Sequence, residues 1–322
     1  MSPNQSDLAL PSFHNENGNI ILGIVRTLEY EQLSDFLLTL HHTQYRGSVG
    51  FFCDDISQRT IDLFSSMGIV KSDFKEIRIN VPFTGKKVNA YRVFSPIQKL
   101  WFTVASDEAK KEFAKKAFHI HQSRHFLYTE FLDANPTFNN VMLSDTRDVI
   151  FQKDPFDFPI HDSLCCFLED PKTTIATEKH NASWIQRAFG NEVLQRIGNN
   201  PISCAGITIG SSQAIYKYTS LMCSILLENK VRAIAGITGL DQGIHNYAIR
   251  SGLLGDNLAL FDNENGPVMT MGLMKRSQIS IDESTGFVLN ADGSVCNTLH
   301  QYDRHPDLLK TLPNTILHTS HS

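Results

Sequence analysis

The chain has 322 residues, 41% of them hydrophobic and 20% charged, enough for one large α/β domain or two small ones with a real buried core. A formal net charge of -5 and a pI of about 6.2 leave no global basic footprint for nucleic acid. No apolar run approaches the roughly 18 residues of a membrane span, and the polar start (Ser2, Asn4, Gln5, Ser6, Asp7) is unlike a signal peptide.

Six cysteines (Cys53, Cys165, Cys166, Cys204, Cys223 and Cys296) include no C-x-x-C pair with zinc spacing. Most sit in apolar runs, as buried free thiols do. The expectation is a reduced, cytoplasmic protein with no transmembrane segment, for which peripheral membrane association stays open.

Residues 1–18 are rich in Asn, Ser and Pro and read as a flexible tail, with structure starting at Asn19. Residues 20–25 are a buried strand, apolar and β-branched. Leu33, Phe36, Leu37 and Leu40 then fall at helical spacing within residues 27–44, and Gly47 follows. Residues 49–53 form a second strand ending in Asp54 and Asp55, residues 59–67 a second helix closed by Gly68, and residues 74–81 a third strand. This β-α-β-α-β order predicts parallel strands with helices on the faces, and ligands at the carboxyl ends of the strands. The dinucleotide fingerprint G-x-G-x-x-G is missing after the first strand, where Gly23 is followed by Ile-Val-Arg-Thr-Leu.

Residues 105–132 are strongly helical, with a charged stretch (Glu108, Lys110, Lys111, Glu112, Lys115, Lys116) that reads as a solvated face. Residues 141–144 form a strand that runs directly into Asp145-Thr-Arg-Asp148. An acidic cluster at a strand end also serves in turns, capping backbone amides. Here it is flanked by Val-Met-Leu and Val-Ile-Phe, and two carboxylates inside an apolar run are costly unless they meet a cation. Residues 236–243 and 262–266 read as loops. Asn290-Ala-Asp-Gly293 reads as a hairpin turn between residues 286–289 and 295–299, which places His300 at the end of the second hairpin strand. Residues 311–322 read as a loose tail.

Four segments in this order resemble the GT-A fold glycosyltransferases, in particular the glycogenin-like, family 8-type metal-dependent enzymes. They are residues 141–151 (Val-Met-Leu-Ser-Asp-Thr-Arg-Asp-Val-Ile-Phe), 204–210 (Cys-Ala-Gly-Ile-Thr-Ile-Gly), 241–246 (Asp-Gln-Gly-Ile-His-Asn) and 299–306 (Leu-His-Gln-Tyr-Asp-Arg-His-Pro). The family carries Asp-x-Asp after a hydrophobic strand, Asn-Ala-Gly before another strand, Asp-Gln with an Asn slightly later, and a C-terminal His.

The resemblance implies an α/β GT-A fold: a Rossmann-like, mostly parallel central sheet, helices on both faces and a C-terminal hairpin. One catalytic domain would span residues 19–310, with a nucleotide-binding half (19–140) and a metal and acceptor half (141–310). It implies transfer of a hexose from a nucleotide-sugar donor to a glycan or other hydroxyl acceptor, leaning towards retention. The metal would be Mn²⁺ or Mg²⁺, held by Asp145, Asp148 and His300; carboxylates plus one imidazole suit Mn²⁺ somewhat better. The spacing departs from the family's, being Asp-x-x-Asp. Aligning residues 149–154 puts Asp148 at the second, metal-binding aspartate and Thr146 at the first, so Asp145 binds the ion directly, through water, or touches the ribose.

Asp241 and Gln242 are the groups implied near the reacting carbon, and Asp241 also reads as a helix N-cap. Arg124 either approaches the donor or forms a surface salt bridge, and Arg147 pairs with one of the aspartates. Gly206 lets the backbone approach a sugar hydroxyl, or simply makes a bulge. Cys204 stands in place of the family's Asn. Arg304 contacts the diphosphate or pairs with Asp303, and His245 reads as a packing or surface histidine. Thr27 and Asp54, at strand ends, are donor-binding candidates from topology alone. The rivals are a sugar-nucleotide or glycan-binding module of the same fold, and a metal-dependent phosphohydrolase, whose Asp-x-Asp-Thr/Val nucleophile pattern is not matched here.

Overall fold

The computed structural model describes residues 11–80, 87–89 and 95–308. The chain runs β1 (Asn19–Arg26), α1 (Tyr30–His42), β2 (Ser48–Asp54), α2 (Gln58–Ser66) and β3 (Val70–Asp73). A small hairpin, β4 (Arg78–Asn80) and β5 (Lys87–Asn89), precedes helices α3 (Ser95–Val104), α4 (Asp107–Ala117) and α5 (Ile120–Ala134). Then come β6 (Asn140–Ser144), β7 (Val149–Phe151), β8 (Leu164–Leu168), α6 (Lys179–Phe189) and α7 (Asn191–Ile197). The last third holds β9 (Ser203–Ser211), α8 (Ser212–Leu227), α9 (Asn229–Arg232), α10 (Leu240–Arg250), β10 (Leu258–Phe261), β11 (Val268–Thr270), β12 (Ser280–Ile281), β13 (Val288–Leu289) and β14 (Thr298–His300).

The central sheet has seven strands in the order β10-β8-β9-β6-β1-β2-β3. Only β9 runs against its neighbours; β1, β2, β3 and β6 pair in parallel, as do β8 and β10. Alternate side chains of one strand enter different cores, as the period of two requires. Ile20, Leu22, Val141 and Leu143 pack with α5, α8 and α10, while Ile21, Val25 and Met142 pack with Leu33, Phe36, Leu37 and Leu40 of α1. The expected mostly parallel α/β sheet, flanked by helices, is therefore present.

From β1 the chain moves outward to β2 and β3, whereas β6 lies on the other side of β1. Strand order reverses there, and the loops after β1 and β6 part to leave a crevice at the carboxyl ends.

Several boundaries differ from the sequence reading. The third strand is residues 70–73, not 74–81; Val81 lies outside the described residues. Val70-Lys-Ser-Asp73 is a short, mostly polar edge strand, which carries no hydrophobic signal of its own. The helical stretch 105–132 is two helices. Phe118 leaves the helical region, and His119 caps α5 by accepting the amide of His121. Ser123 Oγ donates to the carbonyls of Ala114 and Phe118 and so closes the break.

Within the stretch expected as tail, Phe13 is buried and its amide donates to Met67 O. Residues 1–10 and 311–322 lie outside the described residues. The turn at residues 290–293 forms, with Leu289 bridged to Val295, but His300 is not on that hairpin. Its strand, β14, pairs in parallel with β11 and antiparallel with β7. Finally, residues 240–243 of the expected loop 236–243 are the first turn of α10.

Candidate metal centre and the cavities beside it

Asp145 leaves the end of β6, and its amide donates to Gly206 O at the start of β9. Thr146 turns back: its hydroxyl donates to Ile24 O and its methyl packs where a β-carbon on Gly23 would stand. Thr146 therefore points away from the cluster. That turn returns Asp148 to the side occupied by Asp145. The third member arrives through β7, whose Val149 pairs with His300, and the amide of Gln301 donates to Asp148 O at 2.7 Å.

One ligand atom from each of Asp145, Asp148 and His300 falls within 4.8 Å of the others. His300 Nε2 lies 3.6 Å from Asp145 Oδ2 and 3.9 Å from Asp148 Oδ1. The imidazole is fully buried, yet Nε2 has no hydrogen-bond partner among the described residues. Its other nitrogen, Nδ1, sits 3.6 Å from Cys204 Sγ, a contact that fixes the ring as ligating histidines are commonly fixed. An orphaned imidazole nitrogen facing two carboxylates fits a divalent cation, and the donor set suits a hard or borderline ion.

The electrostatics fit as well. Burial acts against a charged His300, but Cys204, Asp145 and Asp148 outweigh it and lift the imidazole well above its ordinary value. Burial raises Asp148, helped by Asp145, despite the opposing pull of His300. Asp145 is desolvated too, yet Arg124 and His300 hold it well below the usual carboxylate range.

Arg124 comes from the middle of α5. It donates to Asp145 Oδ1 at 2.7 Å, to Asp241 Oδ2 at 2.8 Å and to Ala205 O at 3.1 Å. It is buried, so the surface salt bridge does not apply. Burial opposes its charge, but Asp241 and Asp145 raise its pKa further. Arg147 is exposed and pairs with neither aspartate among the described residues, contrary to expectation, because the turn directs it outward.

Asp241 is not an N-cap: Gly239, with φ 78°, holds that place, and Asp241 sits buried in the first turn of α10. Its Oδ1 has no hydrogen-bond partner among the described residues and lies 3.8 Å from His121 Nδ1. Gln242 is engaged by backbone, accepting from Ala205 N and donating to Ser203 O. Gly206 presses on the cluster: a β-carbon there would lie 2.7 Å from His300 Nε2 and 2.8 Å from Asp145 Oδ2. His245 is a packing histidine, fully buried between Ser203 Oγ and Tyr218 OH, and burial lowers it to about 3.

Two cavities meet at the cluster. One, of about 270 Å³, opens over the β1–β6 crevice and is lined by Ile24, Arg26, Leu28, Ile120, Asp145, Arg147 and Asp148, among others. The second, of about 460 Å³, is lined by Glu169, Glu178, Asn181, Trp184, Gly206, Asp241, Gln242 and His300, among others. His121, Arg124, Asp145 and Arg304 border both. Arg304 is exposed and pairs with Asp303 at 2.7 Å. Thr27 and Asp54 sit at the ends of β1 and β2, joined by Thr27 N donating to Asp54 O, but neither lines either of these two cavities. Arg26, tied to Glu76, and Leu28 line the first cavity instead.

Sequence reasoning missed Glu169, His121 and the α6 residues. Glu169 follows β8 just as Asp145 follows β6, so the same strand-then-acid signal was present. Burial pushes its carboxyl up to about 7.

All six cysteines are buried free thiols. No helix among the described residues is long and apolar enough to cross a membrane. No family model matches the chain, and no curated protein matches it. Among solved structures it is similar in part to the glycosyltransferase GlyE of Streptococcus pneumoniae TIGR4. The identity is 13% and the TM-score 0.38, over 76% of this chain and 45% of that one. The chain thus spans less than half the length of that structure.

Proposed function

We propose that this chain is a metal-dependent glycosyltransferase that moves a hexose from a nucleotide-sugar donor to a hydroxyl acceptor. The observation that carries the reading is the Asp145–Asp148–His300 group, whose buried Nε2 has no partner among the described residues, set between two cavities at one edge of a mostly parallel sheet. That layout suits transfer from a nucleotide sugar: a place for the nucleotide, a cation for the departing diphosphate, and a separate place for the sugars.

In this reading the donor's nucleotide occupies the smaller cavity, against the apolar wall of Ile24, Leu28 and Ile120. Bound by the two carboxylates and His300, Mn²⁺ (or Mg²⁺) would offset the negative charge that builds on the departing diphosphate. Arg147 and Arg304 add positive charge on the same cavity wall. Arg124 holds Asp145 towards the cluster and Asp241 towards the larger cavity, so ligand and reacting group share one anchor. In this reading Asp241 is the carboxylate that binds sugar hydroxyls, takes a proton or stabilises an oxocarbenium-like transition state. The hydrogen bonds of Gln242 to Ser203 and Ala205 give it the part of fixing α10 against β9.

The test is incubation with a panel of sugar nucleotides and Mn²⁺, following release of nucleoside diphosphate. Release from one or more donors that stops with EDTA is the expected result. Tight binding without release would make the chain a binding module, and release that survives EDTA would remove the metal from the mechanism.

A further inference from the structure

The larger cavity has a wall that the metal cluster and Asp241 do not account for. Glu178 caps α6, its carboxylate accepting the amides of His180 at 3.0 Å and Asn181 at 2.7 Å. It also accepts from Asn181 Nδ2 at 2.9 Å. That bond orients the amide with its nitrogen towards Glu178 and turns Oδ1 away from it as an acceptor. That oxygen is buried without a partner, on a side chain 5% exposed that lines the cavity.

One turn further along, Trp184 lines the same cavity. Its position depends on two glycines: a β-carbon on Gly239 would lie 2.7 Å from the indole Cη2, and one on Gly243 2.7 Å from Trp184 Cβ. Across the cavity lining, Asp241 Oδ1 is a second buried acceptor with no hydrogen-bond partner.

Two unpartnered acceptors beside a fixed aromatic plane define the ligand. Buried acceptors call for hydroxyl donors, and an indole face calls for a flat apolar surface. A pyranose ring offers both. An anionic ligand would meet Glu169, Glu178 and Asp241, while the arginines on the same lining are already paired, Arg124 with Asp145 and Asp241, and Arg304 with Asp303. We propose that α6 forms the acceptor site and that the acceptor is a neutral pyranose, one face on Trp184 and a hydroxyl donating to Asn181 Oδ1. The assignment to an acceptor rests on the glycosyl-transfer reading above.

The chain has two tryptophans, so Trp101→Phe leaves Trp184 as the single tryptophan, excited selectively at the red edge of its absorption. The probes are methyl α- and β-pyranosides of glucose, galactose and mannose, with glycerol as control, added in the presence of UDP and Mn²⁺. At least one pyranoside is expected to change the fluorescence saturably, and glycerol is not. Asn181→Ala should weaken that binding about tenfold, the size of one lost hydrogen bond to a ligand. Trp184→Phe, which keeps a ring between the two glycines, should weaken it as well, read by saturation-transfer NMR.

No saturable pyranoside, equal response to glycerol, or unchanged affinity in Asn181→Ala would each overturn the site. Displacement of the pyranoside by intact sugar nucleotides, but not by UDP, would make α6 the donor's hexose site and overturn the acceptor assignment. Pyranoside binding in a protein that releases no diphosphate from any donor would instead sink the transferase reading and leave the sugar site standing.

Discussion

Gly206 lies so close to His300 that a β-carbon on it would stand 2.7 Å from Nε2, the orphaned nitrogen of the candidate metal centre. The glycine is needed for space at the cluster, because β9 must carry Gly206 O to the amide of Asp145 while the imidazole passes over it. Gly206→Ala should displace His300 or Asp145 and weaken Mn²⁺ binding about 10–100-fold, the effect of disturbing groups that support a metal site. Metal titration by calorimetry, with circular dichroism as the control for folding, measures it. Unchanged affinity would mean that His300 is not a ligand.

Asp148→Asn should abolish Mn²⁺-dependent release of nucleoside diphosphate while leaving the fold intact. Among the described residues its side chain makes no hydrogen bond that holds two elements together; it faces His300 at 3.9 Å. His300→Ala tests the third ligand in the same way. A melting temperature that falls sharply for Asp148→Asn without metal present would give the residue a structural part instead.

The centre was only partly legible in the sequence. Asp145, Asp148 and His300 were legible as residue types at strand ends. The strand that presents His300 was not, because β14 is three residues long and pairs with β7 and β11, far away in sequence. Hairpin signals are local, and the Asn290–Gly293 turn does form, so the hairpin visible beside His300 in the sequence is not the sheet that carries it. Asp241 was misread as a cap for a related reason: Gly239 takes the cap through a left-handed backbone, which leaves no side-chain signature. The bridge from Arg124 to both Asp145 and Asp241 depends on α5 starting afresh at His119. A continuous helical pattern over residues 105–132 conceals that break.

Metal binding should release a proton. The folded pKa of His300 is raised above its unfolded value. In the metal-free protein its charged form therefore adds stability that is fully present below about pH 6.5 and is lost as pH rises through the raised folded value. A cation needs the neutral imidazole, so Mn²⁺ affinity should climb with pH up to that same folded value. Calorimetry in buffers of different ionisation enthalpy reads the proton directly. Uptake in place of release, or affinity independent of pH, would contradict the assignment.

Arg124→Ala should be the most destabilising of the site variants. It would leave Asp241 buried without its cation, beside a half-exposed Asp145 that loses the same partner. Breaking a buried pair in this way costs about 3 kcal/mol. Urea denaturation measures the loss. A cost below about 1 kcal/mol, the size of an exposed ion pair, would show that Arg124 is solvated in solution.

Asp241 is where structure and chemistry overlap, and the ion pair to Arg124 replaces capping as its structural role. Asp241→Asn keeps an oxygen able to accept from Arg124 but removes the charge. Some stability is therefore lost, and turnover alone cannot separate the two parts. The separation comes from comparing two variants. If Asp241 acts only by holding Arg124, and through it Asp145, then Asp241→Asn should weaken Mn²⁺ binding and turnover together. If the carboxylate works on the sugar, turnover at saturating metal and donor should fall by about 10²–10⁴-fold, the range for a positioned acid or base. Metal affinity should then move much less. Arg124→Lys supplies the reference for pure positioning, since one ammonium cannot reproduce the fork that reaches Asp145, Asp241 and Ala205 at once. A drop in turnover for Asp241→Asn no larger than its drop in metal affinity, in the proportion that Arg124→Lys shows, would make Asp241 a support for the metal centre. Attention would then pass to Glu169, the other buried carboxyl on the wall of the larger cavity.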